Sequence, residues 1–183
     1  MKIAVIGWGS LIWNRRDLKI AEDWITGGGP TLPIEFSRVS KDCRLTLVID
    51  HVNGVEVKTR YAISSFSNLH DAIENLRIRE DAESSKPIGY INLRNGQNRA
   101  KGAAGAETIR AWARDAQVEA VIWSDFQPNF KEQTECEFSV DNGVRYLLNL
   151  PRRARENAFD YIRKAPEEVD TPLRRKLSEW RLI

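Results

Sequence analysis

Two features of this chain combine residue types and spacing that suit chemistry: a carboxylate on an apolar helix stripe, and a glycine pair after a buried strand. After Ser67, the apolar residues Leu69, Ala72, Ile73 and Leu76 recur at helical spacing. At about 100° per residue they form one stripe. Counting on, Glu80 falls in the middle of that stripe, whereas Glu74 and Asp81 point away from it. Charged side chains avoid core-facing positions unless they are paired or functional. A carboxylate held there is partly desolvated, which raises its pKa from about 4.3 and makes it a better general base. A second reading stays open, in which the helix frays before residue 80 and Glu80 pairs with Arg77 or Arg79. Glu83 lies on the same stripe if the helix continues, and is the next candidate. An uncompensated carboxylate at residue 80 also implies that Glu80→Gln is neutral or slightly stabilising.

The glycine pair follows Ile3-Ala4-Val5-Ile6, a run that reads as a buried strand. It leads straight into Gly7-Trp8-Gly9-Ser10-Leu11, where glycines admit backbone angles closed to other residues and leave main-chain N–H groups uncovered. Such a turn can bind an anion or an oxyanion, and equally can be no more than a tight strand-to-loop connection. It is not a dinucleotide fingerprint, because the third glycine of that motif falls at Ile12. Trp8 and Trp13 flank the turn and can wall a pocket, while Trp112 and Trp123 are assigned to the core.

The run from Gly7 to Trp13 resembles the G-Y-G-S-L-I-W opening of the γ-glutamylcyclotransferase superfamily, especially its ChaC-like branch. In that family a helix then ends in D-x-R-E, and a strand opening on Gly-Tyr follows. Here Arg79-Glu80 ends the helix and Gly89-Tyr90 opens the next strand. Trp8 stands where the family has tyrosine, and Arg77 stands where the aspartate of D-x-R-E would be. The resemblance implies that Glu80 is the catalytic acid/base and that Gly7, Trp8, Gly9, Ser10, Leu11 and Tyr90 bind substrate. It also implies a small γ-glutamyl amide or γ-glutamyl-amine substrate, cyclised to 5-oxoproline with release of an amine. Neither cofactor nor metal is implied. The alternative is a non-catalytic small-molecule-binding or regulatory protein that retains the fold. Residues 1–150 are expected as the catalytic core, and 151–183 as a helical extension packed on it.

Other elements must position these residues. Leu18, Ala21, Trp24 and Ile25 give Asp17–Ile25 a helical period, stopped by Gly27-Gly28-Gly29-Pro30. Strands are expected over 34–39 and 45–49, with Ser40-Lys41-Asp42 as the turn, and two more between 52 and 63 with Asn53-Gly54 as a hairpin signal. A helix spans about Asn68 to Glu80, a strand 89–93, a loop 95–105, a helix 107–116 and a second buried strand 118–123. Helices follow over 152–164 and after Asp170-Thr171-Pro172, with proline in the first turn. Together these predict an α+β protein with a mixed, barrel-like sheet flanked by helices.

Composition removes several function classes. Across 183 residues, 28 Lys/Arg against 26 Asp/Glu leave a net charge of +2, so no global field favours nucleic acid or a membrane surface. The basic runs at Arg152-Arg153 and Arg174-Arg175-Lys176 are interleaved with acids and read as solvated helix faces. His51 and His70 have no neighbours at ligand spacing, so no metal site is expected. Cys43 and Cys136 lie far apart, which argues against a disulfide and for small buried apolar roles in a reducing compartment. No apolar run reaches membrane-spanning length, and a strand beginning near Met1 leaves no room for a signal peptide. The expectation is a cytoplasmic protein.

Overall fold

The computed structural model describes Met1–Ile183. In chain order the elements are β1 (Ile3–Gly7), β2 (Thr31–Val39), β3 (Leu45–Ile49), β4 (Val55–Lys58), β5 (Arg60–Ile63), α1 (Leu69–Arg79), β6 (Ile88–Asn92) and β7 (Asn98–Arg99). There follow α2 (Ala103–Asp115), β8 (Ala120–Ser124), α3 (Phe130–Thr134), α4 (Val140–Asn149), α5 (Arg152–Arg163) and α6 (Pro172–Glu179). They form two compact units, Met1–Leu32 with Lys58–Phe126, and Pro33–Val57 with Gln127–Ile183.

The first unit is built on a five-stranded sheet in the order β5-β1-β8-β6-β7. β1 and β8 run parallel, and the other pairs are antiparallel, so the sheet is mixed. Every residue of β1 is buried, the pattern of a central strand covered on both faces. On one face α1 packs Ala72 and Leu76 against Ile3, Val5, Ile88 and Ile122. Asn68 starts that helix, its side chain accepting the amides of His70 and Asp71. On the other face Trp112 of α2 meets Tyr61 edge-on, with ring centres 5.0 Å apart. Trp123 fills the core as expected, and it does so over Gly89, where a Cβ would lie 2.3 Å from the indole. Trp112 is only half-buried.

The second unit carries a three-stranded sheet, β3-β2-β4, with α3 to α6. Thr171 caps α6 and Pro172 enters its first turn, as the sequence indicates. A register shift between Glu35 and Arg38 breaks the alternation of β2, so Ile34 to Ser37 are buried in succession. Glu35 is fully buried. Burial pushes its carboxyl up to about 7, against the pull of the Thr171 hydroxyl and the amides of Phe36 and Leu173. The neighbouring Asp50 adds to the rise. Burial pushes Asp50 up as well, but hydrogen bonds led by the Asn53 amide prevail and hold it below the usual carboxylate range.

Several expectations are corrected. The sheets do not close into a barrel: the five-stranded sheet ends on β5 and β7, and the three-stranded sheet is separate. Asp17–Ile25 is not a helix. Ile20 and Ile25 bridge to Ser64 and Tyr61, and the amides of Ala21 and Ile25 donate to the carbonyls of Ile63 and Tyr61. The open side of β5 thus supplies the acceptors that a helix would otherwise provide internally. Asn53-Gly54 does form a turn, but β3 and β4 flank β2 instead of pairing as a hairpin. Cys43 and Cys136 are free and exposed, not buried. Helices α3 and α4 have no counterpart among the elements that the sequence predicts. No helix is long and apolar enough to cross a membrane.

Glu35 generates a pH prediction. Its acid form is favoured in the fold relative to its ordinary pKa of 4.5, so its contribution is complete below that pH and lost as pH rises through about 7. Between about pH 5 and about pH 8, chemical denaturation should show a loss of about 2–3 kcal/mol from this group. Glu35→Gln should flatten that part of the profile. An equally steep profile in the variant would contradict the assignment.

Candidate functional site

Because β1 and β8 are parallel neighbours, their carboxyl ends reach the same edge of the sheet, where open α/β sheets place ligands. The pairing of Val5 with Ile122 puts Gly7 and Ser124 at corresponding positions two residues further on. Gly7 is needed for close approach, since a Cβ there would lie 2.9 Å from the Trp24 ring. It does not serve a left-handed backbone, which among the glycines is adopted by Gly27 and Gly96. This corrects the reason for the glycine, not its place.

Beyond Gly7 the chain turns. The carbonyls of Gly9 and Ser10 accept the amides of Ile12 and Asn14 at 3.0 and 2.9 Å. The amides of Gly9, Ser10 and Leu11 are not engaged in that turn. Leu11 is buried in the α1-side core and anchors the loop, and Trp8, earlier in the same turn, is also buried. Trp13 is half-exposed.

Helix α1 delivers the carboxylate. It runs intact to Arg79, and Glu80 is its C-cap, with the amide of Glu80 donating to the Leu76 carbonyl at 3.0 Å. The side chain of Glu80 is 16% exposed and that of Arg79 only 5%. Arg79 Nη1 lies 3.1 Å from Glu80 Oε1, and Ser124 Oγ donates to the same oxygen at 2.6 Å. Arg79 Nη2 donates to Ser10 Oγ at 3.0 Å and to the Asn14 carbonyl at 2.7 Å. A continuous path therefore runs from the turn after β1, through Arg79 and Glu80, to the end of β8.

Of the two arginines that the sequence offers Glu80, Arg79 is the partner. Arg77 turns instead to Glu74, with Nε 2.8 Å from Oε1. Glu83 is not on the stripe: the helix ends at Arg79, Asp81 takes a left-handed φ of 51°, and Glu83 is exposed. Tyr90 occupies the α1 face of the sheet opposite Ile122, its ring 5.2 Å from the Arg99 guanidinium. It makes no contact with Glu80 comparable to that of Ser124. His51 and His70 are exposed.

One residue of this arrangement, Ser124, escapes the sequence reading, whereas Arg79 is one of the two partners it offers Glu80. Arg79 follows Ala72 and Leu76 by seven and three positions, so it occupies the same helix stripe as Glu80. Two adjacent opposite charges on an apolar stripe signal a buried pair. Ser124 carries no comparable signal beyond its place at the end of a buried strand.

A carboxylate fixed through one oxygen, beside main-chain amides, can move a proton and support developing negative charge. No family model, no curated protein and no solved structure matches this chain.

Arg79→Leu should destabilise the fold by about 2–4 kcal/mol, because it strands the Glu80 carboxylate and the Asn14 carbonyl together. Arg77→Ala removes a half-exposed pair near the surface and should have a smaller effect. Denaturant midpoints of the two variants check this, and equal losses would mean that Arg79 organises nothing.

Proposed function

We propose that this chain is a γ-glutamylcyclotransferase-like enzyme that closes a γ-glutamyl amide or γ-glutamyl-amine compound to 5-oxoproline. The observation that carries the reading is Arg79. It bonds Ser10 in the turn after β1 and Glu80 at the helix end, and so joins the two segments in which the family resemblance resides. The α+β class with a mixed sheet agrees with the family at that level. Exposed, unpaired Cys43 and Cys136 favour a reducing compartment, and we place the protein in the cytoplasm.

In this mechanism the substrate's free α-amine attacks its own γ-carbonyl carbon. A carbon–nitrogen bond forms and closes a five-membered lactam. Glu80 takes the proton from the attacking amine and returns it to the leaving nitrogen as the original amide bond breaks. Ser124 and Arg79 both hold Oε1, which leaves Oε2 to receive the proton. The amides of Gly9, Ser10 and Leu11 donate to the oxyanion that develops on the carbonyl. Nucleophile and electrophile belong to one molecule, so proximity is intrinsic and the reaction needs no cofactor or metal.

The Arg79–Glu80 pair also favours a second reading, in which Glu80 is a structural partner in a non-catalytic binding or regulatory protein. Glu80→Gln separates the two. Across a panel of γ-glutamyl compounds, the parent should release 5-oxoproline, and the variant should lose about 10²–10⁴-fold in turnover. Because the buried Arg79 loses its counter-charge, the variant should also lose about 1–3 kcal/mol of stability, opposite to the sign expected from an uncompensated carboxylate. Full turnover per folded molecule in the variant would establish the structural reading.

A further inference from the structure

Arg99 lies on β7, a strand of two residues at the margin of the five-stranded sheet. Its register opposite Tyr90 puts it on the α1 face, which Ile122, Ile88 and Ser124 share. The guanidinium is held in place three ways. Nε donates to the Ile88 carbonyl at 2.9 Å, Nη1 approaches Ser85 Oγ at 3.5 Å, and the Tyr90 ring lies beneath at 5.2 Å. Ile88 is the register partner of Ser124, and Ser124 holds Glu80. One strand pairing therefore separates the fixed guanidinium from the fixed carboxylate.

Arg99 differs from three other half-buried or buried arginines of its unit. Arg77 pairs with Glu74, Arg79 with Glu80 and Arg110 with Glu107. Arg99 is half-buried and positioned, yet no carboxylate pairs with it and its Nη2 donates to nothing in the protein. Withdrawing a cation from water without a counter-ion is unfavourable unless a ligand supplies the anion. A planar guanidinium with free N–H groups suits a carboxylate.

We propose that Arg99 is the carboxylate anchor of this site and binds the α-carboxylate of the substrate. This rests on the cyclisation reading for the identity of the ligand. In a γ-glutamyl compound the α-carboxylate and the attacking α-amine share one carbon. Fixing the carboxylate at Arg99 therefore sets the direction of the amine and turns it toward Glu80 across the strand pair. The sequence motif at the turn after β1 and the helix-terminal glutamate do not include this residue, and the anchor adds the specificity for a free α-carboxylate that those two leave unassigned.

Calorimetric titration of the full chain with 5-oxoproline and with its uncharged carboxamide tests the anchor, alongside kinetics on the γ-glutamyl panel. The parent should prefer the carboxylate by about 10–100-fold, the range for a charge-assisted hydrogen bond. Arg99→Gln should abolish that preference while binding the carboxamide as the parent does, and its defect should appear in KM more than in kcat. Arg99→Lys should restore part of the preference. A merely structural role would weaken both ligands equally, and that result, or an undiminished preference in Arg99→Gln, overturns the anchor while leaving cyclisation standing. Arg99-dependent binding of 5-oxoproline without turnover of any γ-glutamyl compound would support the anchor and overturn the cyclisation reading. A parent that binds neither ligand overturns the anchor, and one that also turns over no γ-glutamyl compound overturns both.

Discussion

The first unit is organised around the demand of one buried guanidinium for acceptors. An arginine withdrawn from water must find a counter-charge and oxygen atoms for its N–H groups. Arg79 finds the Glu80 carboxylate, the Ser10 hydroxyl and the Asn14 carbonyl. These come from two segments far apart in the chain, so satisfying Arg79 fixes the turn after β1 against the end of α1. Glu80 then extends the constraint to β8 through Ser124. The carboxylate's position is thus a consequence of the arginine's burial.

That constraint operates at one place because the sheet brings its parallel central strands to a common edge. β1 and β8 end side by side, and α1 crosses the face on which Val5, Ile122 and Ser124 lie. The same face carries Tyr90 and Arg99, so residues from four strands and one helix converge from separated stretches of the chain. A proton-transfer group and main-chain donors on rigid elements are what an intramolecular acyl transfer requires of a protein. The second unit shows the contrasting use of a buried acid: burial pushes the Glu35 carboxyl up, and its hydroxyl and amide partners do not offset that as a cation would.

What the sequence makes legible is local. The apolar stripe of α1, its Asn68 cap, the buried runs of β1 and β8 and the Thr171-Pro172 start of α6 all follow from periodicity and capping chemistry. The stripe also places Glu80 correctly, and its partner Arg79 was readable from the same stripe. Interactions between distant segments were not legible. Asp17–Ile25 has a helical period, yet its amides bond β5 because an edge strand offers acceptors that no local pattern reveals. Ser124 and Arg99 matter through strand register, which sets neighbours that a linear reading does not order. The division into two units, each built from separated stretches of chain, is likewise a product of long-range pairing.

The central claim is that the turn after β1 and the end of α1 form one ligand site. Amide ¹⁵N–¹H spectra of the full chain, titrated with 5-oxoproline, measure this residue by residue. The account predicts saturable shifts concentrated at Gly9, Ser10 and Leu11, accompanied by Glu80 and Ser124. Saturable shifts that leave those amides unmoved and fall elsewhere, or no shifts at all, would contradict it.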